Sequence, residues 1–150
     1  MPRRANDPYG NFRFVVELGS IQVAGFSECT GLQMETKVFE YNEGGRNHTT
    51  LKFPEVTTYS NITLKRGITN SNELIDWQFD VVQGTFRTNP RTQNAQPMAI
   101  ILQNEQGEAV KRWNLIRALP VKWIGPDLKA GSGEVAIETL EIAHEGIEKG

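Results

Sequence analysis

The chain has 150 residues, 16 Lys and Arg against 18 Asp and Glu, a formal net charge of -2 and 38% hydrophobic residues. That length suits one domain over residues 1–150 with a thin core, and the near-neutral balance lacks the surplus of Lys and Arg on which sequence-independent nucleic-acid affinity rests. The single cysteine, Cys29, excludes an internal disulfide, no Cys/His grouping has zinc-ligand spacing, and no run approaches the ~18 apolar residues of a membrane-spanning helix.

The N-terminus, Met1-Pro2-Arg3-Arg4-Ala5-Asn6-Asp7-Pro8, is polar where a signal peptide needs an apolar stretch, so the expectation is synthesis in a reducing cytoplasm without a signal peptide or membrane anchor. Phe12, Phe14, Val16 and Leu18 then fall on one face of a strand, and Gly19-Ser20 reads as a tight turn into a second strand over Ile21–Phe26. Cys29, beside Glu28 and without a basic neighbour, reads as a small buried hydrophobe. Further strands are expected over Glu35–Tyr41 and Tyr59–Arg66, the latter ended by Gly67. Between them, Gly44-Gly45-Arg46 lacks the Lys and Ser/Thr of a phosphate-binding loop and opens no helix, which makes it a loop tip.

One segment has the pattern of an amphipathic helix. Asn70 can cap it, Glu73 follows three residues later, Leu74, Trp77 and Val81 recur on one face with Ile75, Phe79 and Val82 beside them, and Gly84 supplies a stop. From Gly84 to Pro97 hardly an apolar residue occurs, so a long exposed loop is expected. Ala99–Gln103 and Glu108–Leu115 flank Asn104-Glu105-Gln106-Gly107 as a hairpin, after which Pro120, Gly125-Pro126 and Gly131-Ser132-Gly133 break up the chain. In Glu134–Ala143, composition favours helix while Val135, Ile137 and Thr139 alternate as a strand does, and the residues alone leave both open. The sum is a mainly β fold, an antiparallel barrel or sandwich with one flanking α-helix.

No set of residues converges as a catalytic site should. His48 and His144 have no nucleophile elbow or paired motif, and Glu138 and Glu141, as a candidate acid/base pair, point to opposite faces of a strand. No enzyme, cofactor or metal is therefore expected. Trp113 and Trp123 alternate with Lys111, Arg112 and Lys122, a pattern that serves either as stacking platforms for single-stranded nucleic acid or a small ligand in a monomeric barrel, or as inward packing with the basic neighbours outside. Inward packing is the commoner arrangement. The net charge also hides an asymmetry: Lys111, Arg112, Arg117, Lys122 and Lys129 stand against Asp127 alone, and Glu134, Glu138, Glu141, Glu145 and Glu148 against Lys149 alone. Pairing within one chain and head-to-tail docking of copies both explain it.

Several stretches in order carry a resemblance that spans nearly the whole chain: Phe26-Ser27-Glu28-Cys29-Thr30-Gly31-Leu32, Glu40-Tyr41-Asn42-Glu43-Gly44-Gly45-Arg46-Asn47, Leu64-Lys65-Arg66-Gly67, Ala118-Leu119-Pro120-Val121-Lys122-Trp123 with Gly125-Pro126, and Glu134 through Gly146. The chain resembles the tail tube proteins of contractile phages and contractile injection systems. The resemblance implies an antiparallel β-barrel with a flanking helix, and it makes the segment at Glu134–Ala143 a strand. It implies six-fold rings of identical subunits that stack into a tube inside a sheath, made in the bacterial cytoplasm and assembled into a phage tail or extracellular particle.

Implied partners are further copies of the chain, the sheath protein, baseplate and tube-end proteins, and a passing cargo of DNA or protein toxin that is not tightly bound. A tube-initiating, baseplate or tube-end adaptor is the alternative within that class. By position, the segment Tyr41–Tyr59 resembles an extended hairpin arm reaching the adjacent ring, so the expected interface residues are Tyr41, Gly44, Gly45, Arg46 and Asn47, with Glu138 and Glu141 on the acidic side. Gly44 and Gly45 would let the arm rearrange on assembly.

Overall fold

Alternating apolar side chains build the first hairpin, as the sequence predicts, and the rest of the sheet grows from it. A computed structural model describes residues 8–10, 13–19, 21–23, 25–42, 50–82 and 96–150. Strand β1 (Arg13–Leu18) pairs antiparallel with β2 (Ile21–Val23) across a turn in which Gly19 takes a φ of 60°. The expected single strand to Phe26 is divided: Gly25, at φ 87°, turns the chain away, and β3 (Phe26–Thr30) joins the other half of the sheet, where it pairs with β6 (Ile62–Gly67).

After β3 the chain forms β4 (Met34–Tyr41) and β5 (Leu51–Tyr59), a two-stranded sheet of its own with Met34 opposite Tyr59 at one end and Tyr41 opposite Leu51 at the other. The two strands flank the segment expected as the arm, with β5 inside Tyr41–Tyr59 and β4 running from Met34 up to Tyr41, and this ribbon is called the arm below. Ser60 and Asn61 separate β5 from β6, where the sequence suggests one continuous strand. Pro54 is tolerated in β5 because this ribbon has free outer edges, and the register shifts beside it, between Thr36 and Val38.

Helix α1 (Glu73–Val82) starts later than the Asn70 cap implies. Asn72 holds the cap position, since its carbonyl accepts the Asp76 N–H at 2.9 Å. Arg66 fixes this entry by donating to the Ser71 carbonyl and hydroxyl, each at 3.3 Å. Leu74 and Trp77 are buried and face the sheet.

The remaining strands are β7 (Gln96–Gln103), β8 (Ala109–Ile124), β9 (Ile137–Ala143) and β10 (Gly146–Lys149). The β7–β8 turn is the expected hairpin: Gly107 has φ 81°, and the Asn104 side-chain oxygen accepts the N–H groups of Gln106 and Glu108 at 3.0 and 2.9 Å. Strand β8 runs through Pro120, which the sequence reads as a break; a register shift between Pro120 and Lys122 absorbs the missing donor. The segment at Glu134–Ala143 is strand from Ile137, and β10 is a strand that the sequence reading does not contain. Most of the loop expected over Gly84–Pro97 lies outside the described residues, and Pro97 belongs to β7.

The strand order is β2-β1-β7-β8-β9-β6-β3, with β10 on the free side of β8. Long β8 is shared: residues to Ala118 pair with β7, Trp113–Ile116 pair with β10, and Leu119–Ile124 pair with β9. At the change of partner Arg117 takes a φ of 48°, left-handed for a non-glycine residue, and the sheet folds over. Phe14 of β1 and Phe26 of β3 meet across the fold, stacked with ring centroids 6.0 Å apart. Between the halves lie Val16, Ile62, Leu64, Met98, Ile100, Leu115, Leu140 and Ile142, capped by Leu74 and Trp77 of α1. Among the described residues the result is a mainly β, sandwich-like fold with one helix. Their sheet is not a closed barrel, because the order ends at β2 and β3.

Candidate assembly surface

Among the described residues no layer covers the arm. Every residue of β4 is exposed and most of β5 is too, so the alternation in Val38, Phe39 and Tyr41 does not produce a buried face. Phe39 and Phe53 sit opposite each other at 51% and 50% exposure, with Met34, Tyr41 and Val56 also at least half exposed. Local polar contacts add little: Thr36 and Thr57 hydroxyls lie 2.9 Å apart and Lys37 Nζ lies 3.9 Å from Glu55. A two-stranded ribbon is marginal in water on its own, and large apolar residues grouped on one exposed element mark a surface that another molecule covers.

Of the expected interface residues, Tyr41, Glu138 and Glu141 are among the described residues and lie on separate strands or faces. Tyr41 is half exposed at the far end of β4, next to a stretch in which Gly44, Gly45, Arg46 and Asn47 lie outside the described residues. Glu141 sits on β9 at the opposite end of the arm, where its Oε1 accepts from Asn61 Nδ2 at 3.0 Å. Glu138 and Glu141 do point to opposite faces: Glu138 is buried with Leu140 and Ile142, and Glu141 is half-buried on the other side.

Glu138 is engaged inside its own subunit. Directly across from it on β6, Arg66 brings Nε to 3.5 Å from Glu138 Oε2, and the Trp123 indole N–H donates to Oε1 at 3.2 Å. Arg66 also reaches Glu73 Oε2 at 3.3 Å and lies over the Phe26 ring at 5.8 Å. One buried cation thus ties β6, β9, β8 and the start of α1 together.

Other charges pair within the chain as well. Arg117 of the basic stretch meets Glu145 of the acidic one at 3.0 Å, while Arg112 forks onto Glu17 at 2.9 and 3.2 Å. The fork holds the Glu17 carboxyl below the usual 4.5 and raises the Arg112 guanidinium. Trp113 and Trp123 are half-buried and pack on the core, the inward arrangement that the sequence offers as one of its two readings. Trp113, Phe14, Phe26, Arg13 and Cys29 line an open cavity of about 470 Å³ at the mouth between the half-sheets, and burial pushes the Cys29 thiol up to about 11.

His48 lies outside the described residues. His144, which the sequence reads as a surface or packing residue, is half-buried at the base of the arm. Among the described residues no cluster of His, Cys, Asp or Glu could hold a metal ion, and no helix is long and apolar enough to cross a membrane.

The resemblance implies an antiparallel β-barrel with a flanking helix, and the structure has the antiparallel strands and the helix in a sheet that folds over without closing; the comparison with protein families decides the family. The model of the T4-like virus tail tube protein gp19 family matches residues 10–148. The chain belongs to this tail tube family. No curated protein gives a significant sequence match. Among solved structures, a chain of the six-fold symmetrised baseplate of the anti-feeding prophage is 32% identical, with a TM-score of 0.75 over 95% of each chain. A chain of the sheath–tube complex of the extracellular contractile injection system PVC, in its extended state, is 25% identical with a TM-score of 0.77, over 96% of this chain and 92% of that one. A chain of the tube-terminating cap of the anti-feeding prophage is 25% identical with a TM-score of 0.79, over 100% and 97%. The tail tube fold therefore recurs in tube, baseplate and cap structures of these particles.

Proposed function

We propose that the protein is a structural subunit of the inner tube of a contractile phage tail or contractile injection particle, building six-fold rings that stack into a conduit and catalysing no reaction. The observation that carries this is the β4–β5 arm: a folded subunit that leaves Phe39, Phe53 and Val56 in water is complete only when another copy covers them. Family membership supplies the kind of assembly. The sheath named with one neighbour and the baseplate and cap named with others support sheath and tube-end proteins as partners. The near-neutral charge suits a lumen that passes DNA or protein toxin without holding it.

Similarity to a baseplate chain at 32% identity favours a second reading, in which the subunit starts or ends the tube. Electron microscopy of the purified protein separates the two. Long tubes are expected for the repeated subunit and single rings for an end adaptor; monodisperse monomers at high concentration would sink both.

A further inference from the structure

The arm leaves the body where residues 31–33 run beside residues 59–61, and this junction is closely fastened. Gly31, at φ 96°, packs against the Asn61 carbonyl with no room for a Cβ. Gln33 Nε2 donates to Ser60 Oγ at 2.5 Å, and Asn61 Nδ2 donates to Glu141. The third fastening is His144, between β9 and β10. Its Nε2 lies 2.9 Å from the Ser60 carbonyl oxygen and its Nδ1 3.1 Å from the Gly146 carbonyl oxygen.

Both partners only accept. A neutral imidazole carries one N–H and one lone pair, so it satisfies one carbonyl and turns a lone pair toward the other; a ring protonated at both nitrogens donates to both. We propose that His144 is a proton-operated latch on the arm. Taking up a proton from solvent, the ring bonds Ser60 and the β9–β10 turn at once and fixes the arm to the body; losing it, the ring releases one of them and the arm gains freedom.

The surroundings suit such a latch. The Tyr59 ring at the end of β5 stands 5.7 Å from the imidazole, tilted by 57°. A Cβ at Gly146 would meet Ile116 at 3.1 Å and Tyr59 at 3.7 Å, so the turn is packed against the arm base and its carbonyl has little play. The neighbouring carboxylates have other partners: Glu141 of β9 accepts from Asn61, and Glu145 of the turn pairs with Arg117 of β8. Ser60 and Gly146 present only carbonyls to the ring.

The test uses the purified full chain at a concentration where sedimentation shows the same assembly state at about pH 5.5 and about pH 8, values on either side of ordinary histidine titration. Amide hydrogen exchange over residues 51–61, corrected for its intrinsic pH dependence, is expected to slow roughly tenfold at the lower pH, the size of one added charge-assisted hydrogen bond. His144→Phe should abolish that difference. Equal protection at both pH values, or the same difference in His144→Phe, overturns the latch. Should the variant fail to fold, the imidazole nitrogen spectrum of the unmodified protein decides: two protected N–H groups at the lower pH support it, and a freely exchanging ring refutes it. Neither readout requires rings or tubes, so the latch and the tube assignment stand or fall separately.

Discussion

At Glu138 the same side chain that the charge pattern marks as a surface for another copy is the partner of a buried arginine. Arg66 and Glu138 side chains are 4% and 5% exposed, so removing either leaves the other charged and away from water. Glu138→Ala is therefore expected to lower unfolding free energy by about 3–5 kcal/mol, whereas Glu141→Ala, which removes one exposed hydrogen bond to Asn61, should cost about 1 kcal/mol or less. Urea unfolding of the two variants side by side measures the contrast, and equal losses would show that the Arg66–Glu138 pair is not the internal tie the geometry makes it. The contrast also decides how the interface is probed. Charge reversal at Glu138 is expected to destabilise the subunit itself, since it sets two like charges side by side in the interior, while reversal at Glu141 should leave the core intact.

At the level of elements, the arm gives the sharpest expectation because its apolar residues are not part of the core. Phe39→Ser with Phe53→Ser removes two half-exposed rings from facing positions on β4 and β5. The subunit should keep its unfolding free energy to within about 0.5 kcal/mol, while association weakens by about 2 kcal/mol, roughly a 30-fold rise in the concentration needed. Sedimentation across a dilution series reads the shift; unchanged association would remove the arm from the interface. The same element shows where the sequence was legible. Alternation and turn residues locate β1, β4, β7 and the Asn104–Gly107 hairpin, and the helix face at Leu74 and Trp77. They do not reveal that β4 has no buried side, because period two states which residues share a face and not whether anything packs on it. Strand β8 is hidden by Pro120, whose missing N–H is harmless only beside a register shift that tertiary pairing creates. The Arg66–Glu138 tie was equally invisible, since the two residues become neighbours only through the β6–β9 register.

On the scale of the whole molecule, the thin core and the bare arm are two sides of one arrangement. The sheet folds over at Arg117, closes on Phe14 and Phe26, and buries its apolar residues in one main cluster, yet Phe39, Phe53, Val56 and Met34 remain outside it. In the proposed tube, stability of such a subunit is coupled to assembly: copies that bind the folded chain and not the unfolded one pull the equilibrium toward folding by mass action. The melting temperature should therefore rise with protein concentration, by several degrees for each few kcal/mol gained on association. In the Phe39→Ser, Phe53→Ser variant the same rise should set in only at concentrations roughly 30-fold higher. Calorimetry of both proteins over about a hundredfold concentration range tests this, with rapid scans to limit aggregation of the unfolded chain. A melting temperature independent of concentration in the unmodified protein, under conditions where rings or tubes persist up to the unfolding transition, would refute the coupling between assembly through β4 and β5 and subunit stability.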